Sequence, residues 1–166
     1  MAVRQNPVLK IMRSDLPTPD IMLGQGYCPG LTEVKYYYDL INHHIFKDEL
    51  KRPRIILKRL HGCWGKCEGY VQTNTAGNVT ELFTKIILNK KQMGPQLCMV
   101  NLAHEMVHQY QWEVDGLDRL AQGKSPLMSH GPSFFAWRTK FRRFGVPLAV
   151  GHRALKIAYY QDIWAR

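Results

Sequence analysis

His104-Glu105-Met106-Val107-His108 places two imidazoles four residues apart, with a carboxylate directly after the first. The surrounding chain predicts a helix from about Gln96 to Glu113, because Leu97, Val100, Ala103, Val107 and Tyr110 recur at three-to-four spacing after Gly94-Pro95. On a helix, residues four apart are displaced by about 40° around the axis and about 6 Å along it. Both imidazoles then leave one face and can hold a single Zn²⁺, whose nitrogen ligands sit at about 2.0–2.1 Å. Glu105 is placed to take a proton from the water that the metal activates rather than to bind the metal. The competing interpretation is two histidines that are merely exposed on a helix surface.

A catalytic zinc needs a third protein ligand and one open position. A third histidine six residues after the second would extend the motif locally, but Val114 stands there. Glu113, Asp115 and Asp118 are carboxylate candidates. His130, in Ser129-His130-Gly131-Pro132, is the better one, because two helices joined by a long loop can bring the start of the second against the motif helix. Cys63-Trp-Gly-Lys-Cys67 invites a zinc-knuckle interpretation, with His61 as a further ligand. A structural site needs four ligands, no second cysteine pair follows, and Cys28 and Cys98 stand alone. Small buried thiols in a hairpin are the expectation for that pair. His43-His44 is expected to be a surface pair, and His152 carries no signal.

These residues must be positioned by the rest of the chain. Residues 1–26 contain Pro7, Pro17, Pro19, Gly24 and Gly26 without a sustained period, and are expected to form an N-terminal extension over the domain or a partly disordered one. A helix is predicted from near Thr32, with Val34, Tyr37, Tyr38, Ile41 and Ile45 on one stripe, closing at Lys47 to Glu49 before Pro53. Ile55 to Leu57 and Glu81 to Leu88 read as strands, Gly62 to Gly69 as a turn-rich hairpin region, and Ala76-Gly77-Asn78 as a turn. A loop rich in Gly, Ser and Pro follows from about Asp115 to Gly131. One last helix is predicted from Pro132 to just before Gly145, with Phe134, Trp137, Phe141 and Phe144 as its buried stripe. The fold class is α+β, with helices on a short, mostly antiparallel sheet and the motif on a central helix; residues 27–166 form one domain with a basic C-terminal segment.

At 166 residues, with 45% hydrophobic and 22% charged residues, the chain can bury a normal core, which excludes an intrinsically disordered protein. No apolar run reaches the roughly 18 residues of a membrane span, and the N-terminus lacks a signal-peptide pattern. The expectation is an intracellular, cytoplasmic protein, nucleoid-associated if it binds DNA, whose four cysteines stay reduced. The net charge of +10 favours a polyanionic partner. Lys47 to Arg59 and Gly131 to Arg166 are basic, whereas His104 to Asp118 contains four acids and no Lys or Arg. An acidic centre between basic flanks suits chemistry beside surfaces that hold a polyanion. Arg138, Lys140, Arg142 and Arg143 lie off the aromatic stripe; with Lys51, Arg52 and Arg54 they are the candidate DNA-binding residues.

Several segments resemble the SprT-like family, the zinc metallopeptidase domain of bacterial SprT proteins and eukaryotic Spartan proteases. Beyond His104 to His108, Tyr38 through Leu50 resembles the family's opening helix, Cys63 to Cys67 its Cys-Ala-Gly-x-Cys strand segment, and Ser129 to Phe134 its His-Gly-Pro-x-Phe segment. The resemblance covers about residues 30–145. It implies a compact zincin-like peptidase domain, one zinc per chain on His104, His108 and His130, Glu105 as catalytic base, and a structural role for the cysteine pair. It also implies a relation to DNA, since Spartan proteases cleave proteins crosslinked to DNA. No Cys-x-x-Cys…Cys-x-x-Cys ribbon follows residue 145, so DNA contacts fall to the basic segments named above.

The function these observations favour is a zinc-dependent endopeptidase acting on DNA-bound or DNA-crosslinked protein. The alternative is a non-catalytic DNA-binding or structural protein that retains a zinc site, and a third is a zinc hydrolase of a non-peptide bond. Glu105 discriminates against the second, because a structural site needs no carboxylate beside its ligands.

Overall fold

Three strands carry the sheet, β1 (Arg54–Lys58), β2 (Gly65–Thr73) and β3 (Val79–Asn89), and β-branched and aliphatic residues dominate β1 and β3. The computed structural model describes residues 6–12, 27–92 and 94–148. The sheet order is β1-β3-β2, with β3 in the centre. β1 runs parallel to β3 from Arg54 opposite Lys85 to Lys58 opposite Asn89, and β2 runs antiparallel to it from Gly65 opposite Leu88. The sheet is therefore mixed rather than mostly antiparallel, because the chain crosses over from one side of β3 to the other before returning through the β2–β3 turn. That turn forms at Asn74 to Asn78 as expected: Asn74 Oδ1 accepts the amides of Ala76 and Asn78, and Gly77 takes φ 80°.

The segment read as a turn-rich hairpin is mostly strand. Gly65 and Gly69 lie within β2, and each marks a close approach by a neighbouring side chain rather than a turn. A β-carbon at Gly69 would collide with the Trp112 indole, which also donates to the Tyr70 carbonyl.

Helix α1 (Pro7–Met12) buries Val8 and Met12, so part of the N-terminal extension does lie on the domain; residues 1–5 and 13–26 fall outside the described residues. Helix α2 (Leu31–Ile41) continues into a π-helical turn (Asn42–Phe46), which Lys47 ends at φ 61°. Val34, Tyr37, Tyr38, Ile41 and Ile45 are all buried, as the stripe requires.

Helix α3 (Pro95–Glu113) carries the motif, and fourteen of its nineteen residues are buried. It packs against β2 and β3 on one side and α2 on another, so the single apolar stripe understates its burial. Two of its buried polar residues tie it to neighbouring segments: Gln109 donates to the Lys51 carbonyl at 2.7 Å and accepts from Tyr38 at 3.0 Å, and Asn101 donates to Gln92 at 2.8 Å.

Two further expectations are corrected. The loop read from Asp115 to Gly131 begins with helix α4 (Asp115–Ala121). The last helix is two short ones, α5 (Pro132–Phe135) and α6 (Arg138–Arg142). The break lets Phe134 face the motif helix while Trp137 packs on Phe46 and Tyr110, with ring centroids 4.5 and 4.7 Å away. Phe134 and Phe141 are fully buried, and Trp137 and Phe144 are partly so. None of the described helices is long and apolar enough to cross a membrane. Arg153, Lys156 and Arg166 of the basic C-terminal segment lie outside the described residues.

Candidate metal centre

Three imidazoles converge where α3 meets the segment leading into α5. His130 Nε2 lies 3.0 Å from His104 Nε2 and 3.1 Å from His108 Nε2. Nitrogens bound at about 2.0–2.1 Å to one tetrahedral zinc lie about 3.3 Å from each other, close to these two separations, and the ligand atoms of all three residues lie within 4.8 Å of one another. They are the one group of three candidate ligand side chains among the described residues. Three imidazoles could hold a metal ion, and imidazole ligands suit zinc, copper, iron and nickel alike.

The carboxylate alternatives do not join them. Glu113 is occupied elsewhere, accepting from Thr84 Oγ1 at 2.6 Å and from Gln109 Nε2 at 3.0 Å. Asp115 and Asp118 lie on α4 and belong to no such group. His61, Cys63 and Cys67 likewise form no ligand group. Cys67 is half-buried, and burial drives its thiol pKa far up, whereas Cys63 is exposed, which corrects the expectation of two buried thiols.

His108 is nearly buried, His104 is half-buried and His130 is exposed, so the group opens to solvent on one side. Burial lowers the pKa of His108, and the neighbouring His130 lowers it further against the raising effect of Gln111; burial alone lowers that of His130. Both shifts favour the neutral ring, the form that binds metal. Phe134 lies beneath all three, its ring centroid 4.8 Å from those of His104 and His130 and 4.9 Å from that of His108.

Glu105 projects toward the start of β2. Burial pushes its pKa up to about 8, against the lowering effect of a hydrogen bond from the Cys67 backbone amide. The strand can come this close because residue 65 is glycine: a β-carbon there would sit 2.8 Å from Glu105 Oε1. His104, Glu105, His108 and His130 line an open cleft of about 430 Å³, with Gly62 to Cys67 along its other wall. Gln92 holds that wall, donating to the Trp64 carbonyl at 3.1 Å while accepting from Asn101 on the motif helix.

Sequence reasoning missed three contributors to this site. Gln111, one turn beyond His108, bonds to His108 and to Ser129. Phe134 is expected in the buried stripe and the His-Gly-Pro-x-Phe-like segment, and Gly65 in the turn-rich region and the Cys-Ala-Gly-x-Cys-like segment, but neither as a wall of the site. A polar residue at i+3 from a motif histidine was the available signal for Gln111.

The candidate DNA-binding residues form two groups on separate elements. Lys51, Arg52 and Arg54 line a second cleft of about 530 Å³ with Tyr70, Phe83 and Lys85. Arg52 is paired with Asp39, and Lys51 approaches Glu81 at 3.8 Å. Arg138, Arg142 and Arg143 are exposed around α6, with Arg138 over the Phe135 ring. Lys140 is half-buried over Trp137, and burial lowers its pKa. The chain matches no protein-family model, no curated protein and no solved structure.

Proposed function

We propose that this chain is a zinc-dependent endopeptidase of SprT/Spartan type with a zincin-like fold, acting on proteins bound or crosslinked to DNA. The observation that carries the proposal is the seating of a buried carboxylate, Glu105, beside three converging imidazoles at the floor of an open cleft. A site built only for stability would enclose its metal and would have no use for that carboxylate. Zinc held by His104, His108 and His130 would supply Lewis-acid activation of water and of the scissile carbonyl.

The chain's own residues do the rest. Burial pushes the Glu105 pKa up to about 8 in the chain alone, so its carboxylate form would be restored by the field of a bound cation and would then accept a proton from water in the cleft. The same group returns that proton to the leaving amine. The absence of a β-carbon at Gly65 keeps this position open. The lowered pKa values of His108 and His130 favour the unprotonated nitrogens that a metal ion would need.

The DNA part of the proposal rests on the charge of +10 and on exposed Arg138, Arg142 and Arg143 close in sequence to His130. Lys51, Arg52 and Arg54 supply a second basic cluster. The test is turnover of a DNA-bound protein by zinc-loaded wild type and by Glu105→Gln, which is nearly isosteric but accepts no proton. Fragments from wild type alone support the proposal; equal digestion by both proteins overturns it.

A further inference from the structure

Gln111 is 1% exposed, and its amide makes four hydrogen bonds. Its Oε1 accepts from His108 Nδ1 at 2.9 Å and from the Ser129 backbone amide at 3.2 Å. Its Nε2 donates to the Ser129 carbonyl at 2.9 Å and to Ser133 Oγ at 2.8 Å. The two ends of a side-chain amide are usually told apart only by their partners. Here the partners leave one choice, because Ser129 presents a backbone N–H, which only donates, and a backbone C=O, which only accepts.

The orientation has a consequence for His108. The ring nitrogen that faces Oε1 must carry the proton, and a neutral imidazole has only one. Nε2 of His108 is therefore left with its lone pair directed toward His130 Nε2, 3.1 Å away. His130 Nε2 offers either one proton or one lone pair to two ring nitrogens, so at most one of the two short contacts is a full hydrogen bond.

We propose that Gln111 is the positioning residue of the three-imidazole centre: one amide sets the tautomer of His108 and, across 18 residues of chain, holds the segment that delivers His130. The proposal rests on the metal-centre reading above and adds to it a residue with no contact to the ion. Nothing in the His-Glu-x-x-His pattern requires an amide at this place, so the device belongs to this chain's own residues. Partners of this kind typically contribute about 10–100-fold to metal affinity.

The test uses Gln111→Leu and Gln111→Glu and two readouts: ring ¹⁵N spectra of His108 in the metal-free protein, and zinc affinity by chelator competition. Wild type should show proton occupancy at Nδ1 alone. Gln111→Leu should show both tautomers and bind zinc about 10–100-fold more weakly. Gln111→Glu keeps an acceptor for Nδ1–H but loses the donors to Ser129 and Ser133, so the Nδ1 proton should persist while affinity falls part of the way. A Leu variant that keeps the Nδ1 proton overturns the proposal, whether or not zinc affinity falls, since a purely structural tie would leave the tautomer alone. If that variant cannot be purified, loss of the Nδ1 proton in Gln111→Glu overturns it equally. Failure of wild type to bind zinc would sink the metal-centre reading, whereas the metal-free spectra would still decide the role of Gln111.

Discussion

Gly65 and Glu105 are in contact across the cleft, the backbone of one against the carboxylate of the other. A methyl group at residue 65 would meet Glu105 Oε1 at 2.8 Å and Leu88 Cδ2 at 3.1 Å. Gly65→Ala should therefore displace the carboxylate or the strand, at a cost of about 1–3 kcal/mol for overpacking. Thermal melting should fall by several degrees, and turnover should drop while zinc content stays near that of wild type. Unchanged melting and turnover would refute this contact.

Shortening the same carboxylate tests its reach. Glu105→Asp withdraws the oxygens by about one methylene from the Cys67 amide, and a misplacement of about 1 Å can cost about 10²-fold in rate. The expected outcome is a kcat lowered by about that factor with one equivalent of zinc retained. A kcat within threefold of wild type, or loss of zinc, contradicts the assignment.

Metal analysis of His130→Ala should show a clear fall from about one equivalent of zinc per chain, as removal of one of three ligands requires. Asp118→Asn and Cys63→Ser should leave the content unchanged, because neither residue belongs to the imidazole group. Full zinc in the His130 variant would reassign the third ligand.

For DNA, the triple variant Arg138→Ala, Arg142→Ala, Arg143→Ala should bind single- and double-stranded DNA more weakly, with a flatter dependence on salt. Each lost phosphate contact removes about 0.7–0.9 from the slope of log affinity against log salt. Lys140 is left in place because its ammonium sits over Trp137. Equal affinity and slope in both proteins would remove α6 from the DNA-binding surface.

The motif helix was legible in sequence because its apolar period is long and Gly94-Pro95 marks its start. His130 was legible because Gly131-Pro132 opens the next helix. What misled were glycines and short elements. Gly116 lowers helix propensity within Asp115 to Ala121, yet the helix forms around it; a β-carbon there would meet Leu82 at 3.0 Å and Pro126 at 3.2 Å. Tertiary packing thus selects glycine where local propensity disfavours it. Gly65 and Gly69 in β2 follow the same rule, since Glu105 and Trp112 of α3, some forty residues later in the chain, press on them, with Leu88 of β3 also against Gly65. The break between α5 and α6 has no proline to announce it; it follows from two aromatic rings facing different neighbours.

The ring of Phe134 belongs to two structures at once, the hydrophobic core and the underside of the three imidazoles. Unfolding must therefore scatter the ligands as it exposes the ring, so the denatured chain retains no preformed binding site. An ion that binds the native chain alone stabilises it by mass action, about 2.7 kcal/mol when free ion exceeds the dissociation constant a hundredfold. With the proposed metal at this centre, the melting temperature should climb with the logarithm of free-metal concentration. Chelation, by the same linkage, acts as a denaturant aimed at one aromatic ring.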